Sequence, residues 1–148
     1  MLMKSVAALI ALAALSSPAG ACVVQSQIFF ATASAEIDRA AATELDRFAA
    51  SYVSGAAGTR LHLFAASDTA GSAASNLALA RRRGEEVQHY LAGRGIPLSD
   101  IRVVARGESE LQIPTADGVS EPRNRVVVVR ANPTQRPELP TGRPVPIC

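Results

Sequence analysis

The chain has 148 residues, of which 48% are hydrophobic, and a formal net charge of +2. So small a charge excludes the strongly basic surface of a typical nucleic-acid-binding protein, so no nucleic-acid partner is expected. The length is typical of one domain, which can bury a sufficient core without a metal ion or a disulfide.

The first 21 residues have the pattern of a secretory signal peptide. Lys4 precedes an uncharged apolar run over residues 5–15, and Ala19-Gly20-Ala21 supplies the small residues typical of a cleavage site. The run is too short to span a bilayer, and no later segment is long and apolar enough to do so. We therefore predict that residues 1–21 direct export and are removed.

Two cysteines, Cys22 and Cys148, would then stand at the two ends of the exported chain. Two interpretations are open. In an oxidising compartment an even pair favours a disulfide that ties the ends together. Alternatively, Cys22 is lipidated, which would associate the protein with the outer membrane. The small residues before Cys22 fit ordinary cleavage better, which favours the disulfide.

The first half of the exported chain alternates strand and helix patterns. Residues 23–30 are rich in β-branched and aromatic side chains and predict a strand. Residues 34–52 predict a helix that begins with Ser34 as its N-cap, because apolar residues then recur at helical spacing. Residues 60–66 are apolar on both faces apart from His62, which is typical of a buried strand.

The second predicted helix covers residues 76–92 and ends before Gly93 and Gly95. At about 100° per residue, one face carries an apolar stripe of Leu77, Ala80, Gly84, Val87 and Leu91. Arg83 lies at the margin of this stripe. Helical side chains lean toward the N-terminus, so Arg83 should lean toward the loop that holds Asp68.

The remainder of the chain predicts two more strands and a tail. The strands cover residues 101–105 and 125–131, and residues 107–124 between them predict a loop with a short helix. Residues 132–148 contain five of the nine prolines and predict an extended tail. Residues 22–131 thus form one predicted domain, an α/β two-layer sandwich.

Signatures of catalysis are missing from the sequence. His62 and His89 are the two histidines, and neither lies near a convincing nucleophile or at metal-ligand spacing from the cysteines. The glycine-containing loops lack the pattern that cradles a phosphate. We therefore predict a protein that is not an enzyme and that has no metal ion or other cofactor.

Several motifs in fixed order resemble the OmpA-like family of peptidoglycan-associated domains. The central motif is formed by Ser67-Asp68, Gly71-Ser72, Asn76, Leu79 and Arg82-Arg83-Gly84. Gly95-Ile96-Pro97 follows the second helix, and residues 118–125 are similar to the family's closing motif. The resemblance covers about residues 26–131.

This resemblance implies a βαβαβ(α)β domain whose four-stranded mixed sheet packs against the helices. It also implies non-covalent binding of peptidoglycan in the periplasm of a Gram-negative bacterium, through diaminopimelate of the stem peptide. Asp68 would accept hydrogen bonds from the ligand ammonium, and Arg83 would bind its carboxylate. Asn76 would orient the loop or the ligand. The remaining site residues carried over from the family are Ser67, Leu79 and Arg125.

The sequence also departs from the family pattern, which keeps other functions open. Ala65-Ala66 replaces a glycine and a larger residue before the acidic motif, and Val126 replaces an arginine. The alternative is therefore a structural or interaction module that has lost peptidoglycan binding and contacts envelope proteins through residues 132–148. A small cell-wall hydrolase is the third hypothesis.

Overall fold

The computed structural model describes residues 24–55 and 59–131. The predicted signal peptide (residues 1–21), both cysteines and the predicted tail (132–148) lie outside the described residues, so these predictions stay predictions. The described elements in chain order are β1 (Val24–Phe29), α1 (Arg39–Gly55), β2 (Leu61–Ala66), α2 (Ala73–Gly93), β3 (Ile101–Gly107) and β4 (Val126–Ala131).

The four strands form one mixed sheet in the order β1-β4-β2-β3. Strand β2 pairs in parallel with β3, whereas β4 is antiparallel to both β1 and β2. The sequence of β4 explains its central place, because its four consecutive valines are buried on both faces of the sheet. The predicted two-layer α/β fold with a four-stranded mixed sheet is confirmed.

Both helices pack against the sheet, α1 on β1 and α2 on β2 and β3. The main core lies between the two layers and includes Ile28, Leu45, Phe48, Leu63, Val87, Leu91, Val127 and Val129. A smaller apolar cluster, formed by Phe64, Ala66, Val126 and Val128, contains the alternate side chains of β2 and β4. The guanidinium groups of Arg106 and Arg130 lie 5.8 and 6.0 Å from the centre of the Phe64 ring.

The ends of α2 have clear local causes. Ser72 is its N-cap, in an extended conformation, and the Ser72 hydroxyl accepts a hydrogen bond from the Ser75 amide at 3.2 Å. At the other end, Gly95 adopts a φ of +93°, which favours glycine, and its amide donates to the Ala92 carbonyl. Because Ser72 is the N-cap, α2 begins at Ala73, three residues earlier than predicted.

Two predictions for the helices are wrong. Helix α1 begins at Arg39 and not near Ser34, because Asp38 is the residue whose side chain accepts from the Ala41 amide, at 2.8 Å. Leu77 was predicted to belong to the buried stripe of α2, yet it is 42% exposed. The buried face of this helix instead includes Asn76 and Arg83 beside Ala80, Gly84, Val87 and Leu91.

Candidate functional site

A cleft of about 220 Å³ lies where β1 and β2 end and α2 begins. We call it the Asp68 cleft; its lining includes Thr32, Ala33, Asp68, Asn76, Leu79 and Arg82. Thr32 and Ala33 belong to the turn after β1, and Asp68 follows the end of β2. Three of the residues named from the sequence, Asp68, Asn76 and Leu79, therefore lie on one cleft.

The Asp68 carboxylate is held by one of its two oxygens. Oδ2 accepts from Arg125 Nη1 at 3.1 Å, from the Ser120 hydroxyl at 3.3 Å and from the Glu121 amide at 3.3 Å. Oδ1 accepts no hydrogen bond from any residue that the structure describes. Since Asp68 lines the cleft, Oδ1 is left available to a cationic ligand group.

Arg125 is the ion-pair partner of Asp68, and both side chains are about nine-tenths buried. The guanidinium Nε of Arg125 also donates to the Phe30 carbonyl at 2.9 Å. Arg125 immediately precedes β4, so it connects the end of β1 to Asp68 across the sheet. Arg125 thus supports the acidic group from behind the cleft.

Arg83 is fully buried and lies behind the turn that forms one wall of the cleft. Its Nε donates to the Ser34 carbonyl at 2.8 Å, and its Nη2 donates to the Ala31 carbonyl at 3.0 Å. Nη1 lies 3.5 Å from the Ala66 carbonyl at the end of β2. Arg83 thereby fixes the 31–34 turn, whose residue Ala33 has a φ of +52°.

Arg83 forms no ion pair with any described residue. In the described part of the chain no carboxylate lies within 4 Å of Arg83, and Asp68 is already paired with Arg125. Burial lowers the pKa of Arg83 to about 10; the charge of Asp68 opposes this shift, and those of Arg125 and Arg82 add to it. Arg83 is therefore still protonated at neutral pH and places a positive charge behind the cleft.

The other predicted residues have structural partners. The Asn76 amide nitrogen donates to Glu108 Oε2 at 2.6 Å, which connects the first turn of α2 to the loop after β3. Ser67 is fully buried, and its amide donates to the Gly107 carbonyl at 2.8 Å. Its hydroxyl has no hydrogen-bond partner among the described residues. Neither Ser67, Arg83 nor Arg125 belongs to the lining of the cleft.

Two parts of the cleft were not predicted as site residues from the sequence. Arg82 belongs to the family motif but was assigned no ligand contact, and the 31–34 turn was not named at all. A signal for Arg82 existed, because Ser75, Leu79 and Arg82 follow the i, i+4, i+7 spacing of one helix face. The turn had no such signal, because the Arg83 contacts that fix it join residues about 50 positions apart. Thr69 was also missed; its hydroxyl donates to the Ala116 carbonyl at 2.7 Å and holds the 115–121 loop beside Asp68.

The residues that depart from the family pattern lie away from the cleft. Ala65, Ala66 and Val126 are fully buried in the sheet, and none of them lines the cleft. Within the described ranges, no group of acidic, histidine or cysteine side chains could hold a metal ion. None of the described helices is long and apolar enough to cross a membrane.

Comparison with known proteins agrees with this architecture. No curated protein matches the chain. A solved structure of the peptidoglycan-associated lipoprotein from Burkholderia pseudomallei is similar, with a TM-score of 0.63, 22% identity, and coverage of 70% of this chain and 88% of that one. The C-terminal domain of Helicobacter pylori MotB has a TM-score of 0.59 at 18% identity, with coverage of 74% and 86%.

The cell wall anchor of the type VI secretion system from Pseudomonas aeruginosa is also similar, with a TM-score of 0.56 and 24% identity. The similarity covers 72% of this chain and 79% of that one. At these identities the structures show a shared fold. The model of the OmpA family matches residues 29–125, which is more than half of the sequence. The chain therefore belongs to the OmpA family.

Proposed function

We propose that this protein binds peptidoglycan non-covalently in the periplasm, through the diaminopimelate residue of the stem peptide, and that it is not an enzyme. Membership of the OmpA family supports this function. So do the names of two similar structures, a peptidoglycan-associated lipoprotein and a cell wall anchor. The observation that carries the proposal is the available oxygen of Asp68 at the cleft.

The free end of diaminopimelate is an amino acid zwitterion, and the cleft offers complementary charges. Asp68 Oδ1 would accept from the ligand ammonium, while Oδ2 keeps its contact with Arg125. The positive charge of Arg83 behind the cleft would attract the ligand carboxylate. Asn76 and Leu79 would contact the rest of the residue, and Ser67 and Arg125 would hold the acidic motif in place.

Replacement of Asp68 by asparagine tests this assignment. Asp68→Asn keeps the shape of the side chain but removes the charge that would bind the ammonium. Loss of one partner of a buried charged contact commonly costs about 2–5 kcal/mol, so affinity for purified peptidoglycan sacculi should fall by more than about tenfold. Sedimentation of the protein with sacculi measures this affinity.

Asp117→Asn is the matched control, because Asp117 is an exposed acid in the loop that packs beside Asp68. It should bind sacculi as the unchanged protein does. Circular dichroism should show that both variants are folded. Undiminished binding by folded Asp68→Asn would refute the assigned site, and failure of the unchanged protein to bind sacculi would refute the proposed function.

A further inference from the structure

A second depression adjoins the Asp68 cleft along α2. It has a volume of about 660 Å³, and we call it the Glu86 groove; its lining includes Ala35, Glu36, Ile37, Arg82, Glu86 and His89. Arg82 lines both the cleft and the groove. The two depressions therefore meet at this exposed guanidinium, which forms no ion pair with any described residue.

The groove follows one face of the helix. Leu79, Arg82, Glu86 and His89 have the i, i+3, i+7, i+10 spacing that places side chains in one row. At about 1.5 Å per residue, Arg82 and His89 are about 10 Å apart along the helix axis. An extended peptide advances about 3.5 Å per residue, so this length would hold two or three residues or one sugar beyond the cleft.

We propose that Arg82 is a specificity residue that binds the free α-carboxylate of the glutamate preceding diaminopimelate, and that the Glu86 groove takes the sugar-proximal end of the stem. The inference rests on the proposed function. In a stem peptide this glutamate is joined to diaminopimelate through its side chain, so its α-carboxylate is free. With diaminopimelate in the Asp68 cleft, the next group along the stem is this anion, and Arg82 is the next cation along α2.

The charges in the groove favour a ligand whose neutral, sugar-proximal end lies in the Glu86 groove. Glu36 and Glu86 are acidic and would repel a second anion deeper in the groove. Beyond the glutamate, the stem continues through alanine to an N-acetylated sugar, and both parts are neutral. Their amide and hydroxyl groups are donors, which match the carboxylate acceptors of Glu36 and Glu86.

The test compares three ligands by calorimetry: free meso-diaminopimelate, the tripeptide L-Ala-γ-D-Glu-meso-diaminopimelate, and the same tripeptide with the glutamate α-carboxylate amidated. The unchanged protein should bind the acidic tripeptide about tenfold more tightly than the amidated one, since a charge-assisted contact is lost. Arg82→Gln should remove this difference between the acidic and the amidated tripeptide, because the variant has no charge for the glutamate α-carboxylate to meet.

Arg81→Gln is the matched control, because Arg81 is exposed, lies one position away on α2, and lines neither depression. It should keep the preference for the acidic tripeptide. Equal affinity of the unchanged protein for the acidic and amidated tripeptides would overturn the inference while leaving the proposed function intact. Failure of all three ligands and of sacculi to bind would instead refute the proposed function, and the inference with it.

Discussion

Arg83 combines complete burial with acceptors that are all neutral backbone carbonyls, which is an uncommon environment for a guanidinium. Burial of a charge is costly, and the lowered pKa of Arg83 reflects that cost. The hydrogen bonds to Ala31 and Ser34 offset part of it, because both carbonyls belong to an irregular turn without a strand partner. The Phe30 ring lies 5.3 Å from the guanidinium carbon and adds a cation–π contact.

We therefore expect Arg83→Met to destabilise the protein as well as weaken ligand binding. Methionine fills a similar volume but removes the donors to the Ser34 carbonyl and to the buried Ala66 carbonyl, while the Ala31 carbonyl keeps the Ser34 amide as its donor. A buried group left unpaired costs about 1–3 kcal/mol. Removal of the buried charge offsets part of this destabilisation, so we expect a net loss of about 2 kcal/mol in unfolding free energy. Urea denaturation measures it. A variant as stable as the unchanged protein would show that the 31–34 turn does not depend on Arg83 for its conformation.

Asp68 differs from Arg83 in having one polar atom, Oδ1, without a hydrogen-bond partner among the described residues. Its unpaired Oδ1 makes no contact that folding requires, whereas every donor nitrogen of Arg83 contacts the backbone. Loss of binding in an Arg83 variant therefore has two physical causes. Asp68→Asn also removes the charge partner of the nine-tenths buried Arg125, which costs stability, so its unfolding free energy is measured beside its binding. The sacculus experiment accordingly uses Asp68.

At the scale of the elements, Gly84 allows α2 to pack closer to β2 and β3 than a residue with a Cβ atom would. A Cβ atom on Gly84 would lie 2.5 Å from Cγ1 of Val103 on β3 and 3.4 Å from Cβ of Ala65 on β2. Gly84 follows Arg83 directly, so this contact sets how near the guanidinium lies to the end of β2. Helix position and site geometry are therefore coupled.

Gly84→Ala tests that coupling. Alanine favours the helix by up to about 1 kcal/mol, but overpacking in a filled core typically costs about 1–3 kcal/mol. The stiff β-branched Val103 cannot easily rotate away, so we expect a net destabilisation of about 1 kcal/mol in urea denaturation. Adding Val103→Ala should recover stability relative to the sum of the two single changes. If the two changes in unfolding free energy simply add in the double variant, the alanine methyl group at position 84 and Val103 do not clash.

The strands and α2 could be predicted from the sequence because their signals are local. The β-branched residues lie within the strands, and Gly95 lies two residues beyond the end of α2. The start of α1 could not, because Ser34 and Asp38 both have the side chain of an N-cap. The Ser34 carbonyl accepts from Arg83 and its hydroxyl accepts from the Glu36 amide, so residues 34–37 are held outside the helix, which begins after Asp38.

The candidate site was predictable in part for the same reason. Asp68, Asn76 and Leu79 lie within one short motif, and the structure brings them to one cleft. The Asp68–Arg125 ion pair spans 57 positions, and the Arg83 contacts span about 50, so both depend on the order of the strands. No local pattern carries that information.

For the molecule as a whole, the one half-buried histidine in the sheet links stability to pH. Burial lowers the pKa of His62, and the nearby charges of Arg102 and Arg60 lower it further. Above the ordinary value of 6.5, the imidazole is neutral in both the folded and unfolded states and has no effect. As the pH falls through 6.5 and then through the lower folded value, the unfolded state binds the proton first, so stability is lost.

We expect His62→Gln to reduce this loss. Urea denaturation at pH 7.5 and pH 5.0 should show a smaller drop in unfolding free energy for the variant than for the unchanged protein, because glutamine does not titrate. His89→Gln, which replaces the other histidine at an exposed position on α2, is the control. Identical drops in all three proteins would assign the acid sensitivity to the carboxylates instead.

The pairing of the first and last strands has a mechanical consequence. Val24 pairs with Ala131 at one end of the sheet, and Phe29 pairs with Val126 at the other end, where the Asp68 cleft lies. A tether pulling on Val24 or Ala131 would thus act at the end of the sheet opposite a polymer held in the cleft. Tension between the two would run along β1 and β4 and load their hydrogen bonds together in shear, a geometry that resists rupture better than unzipping does.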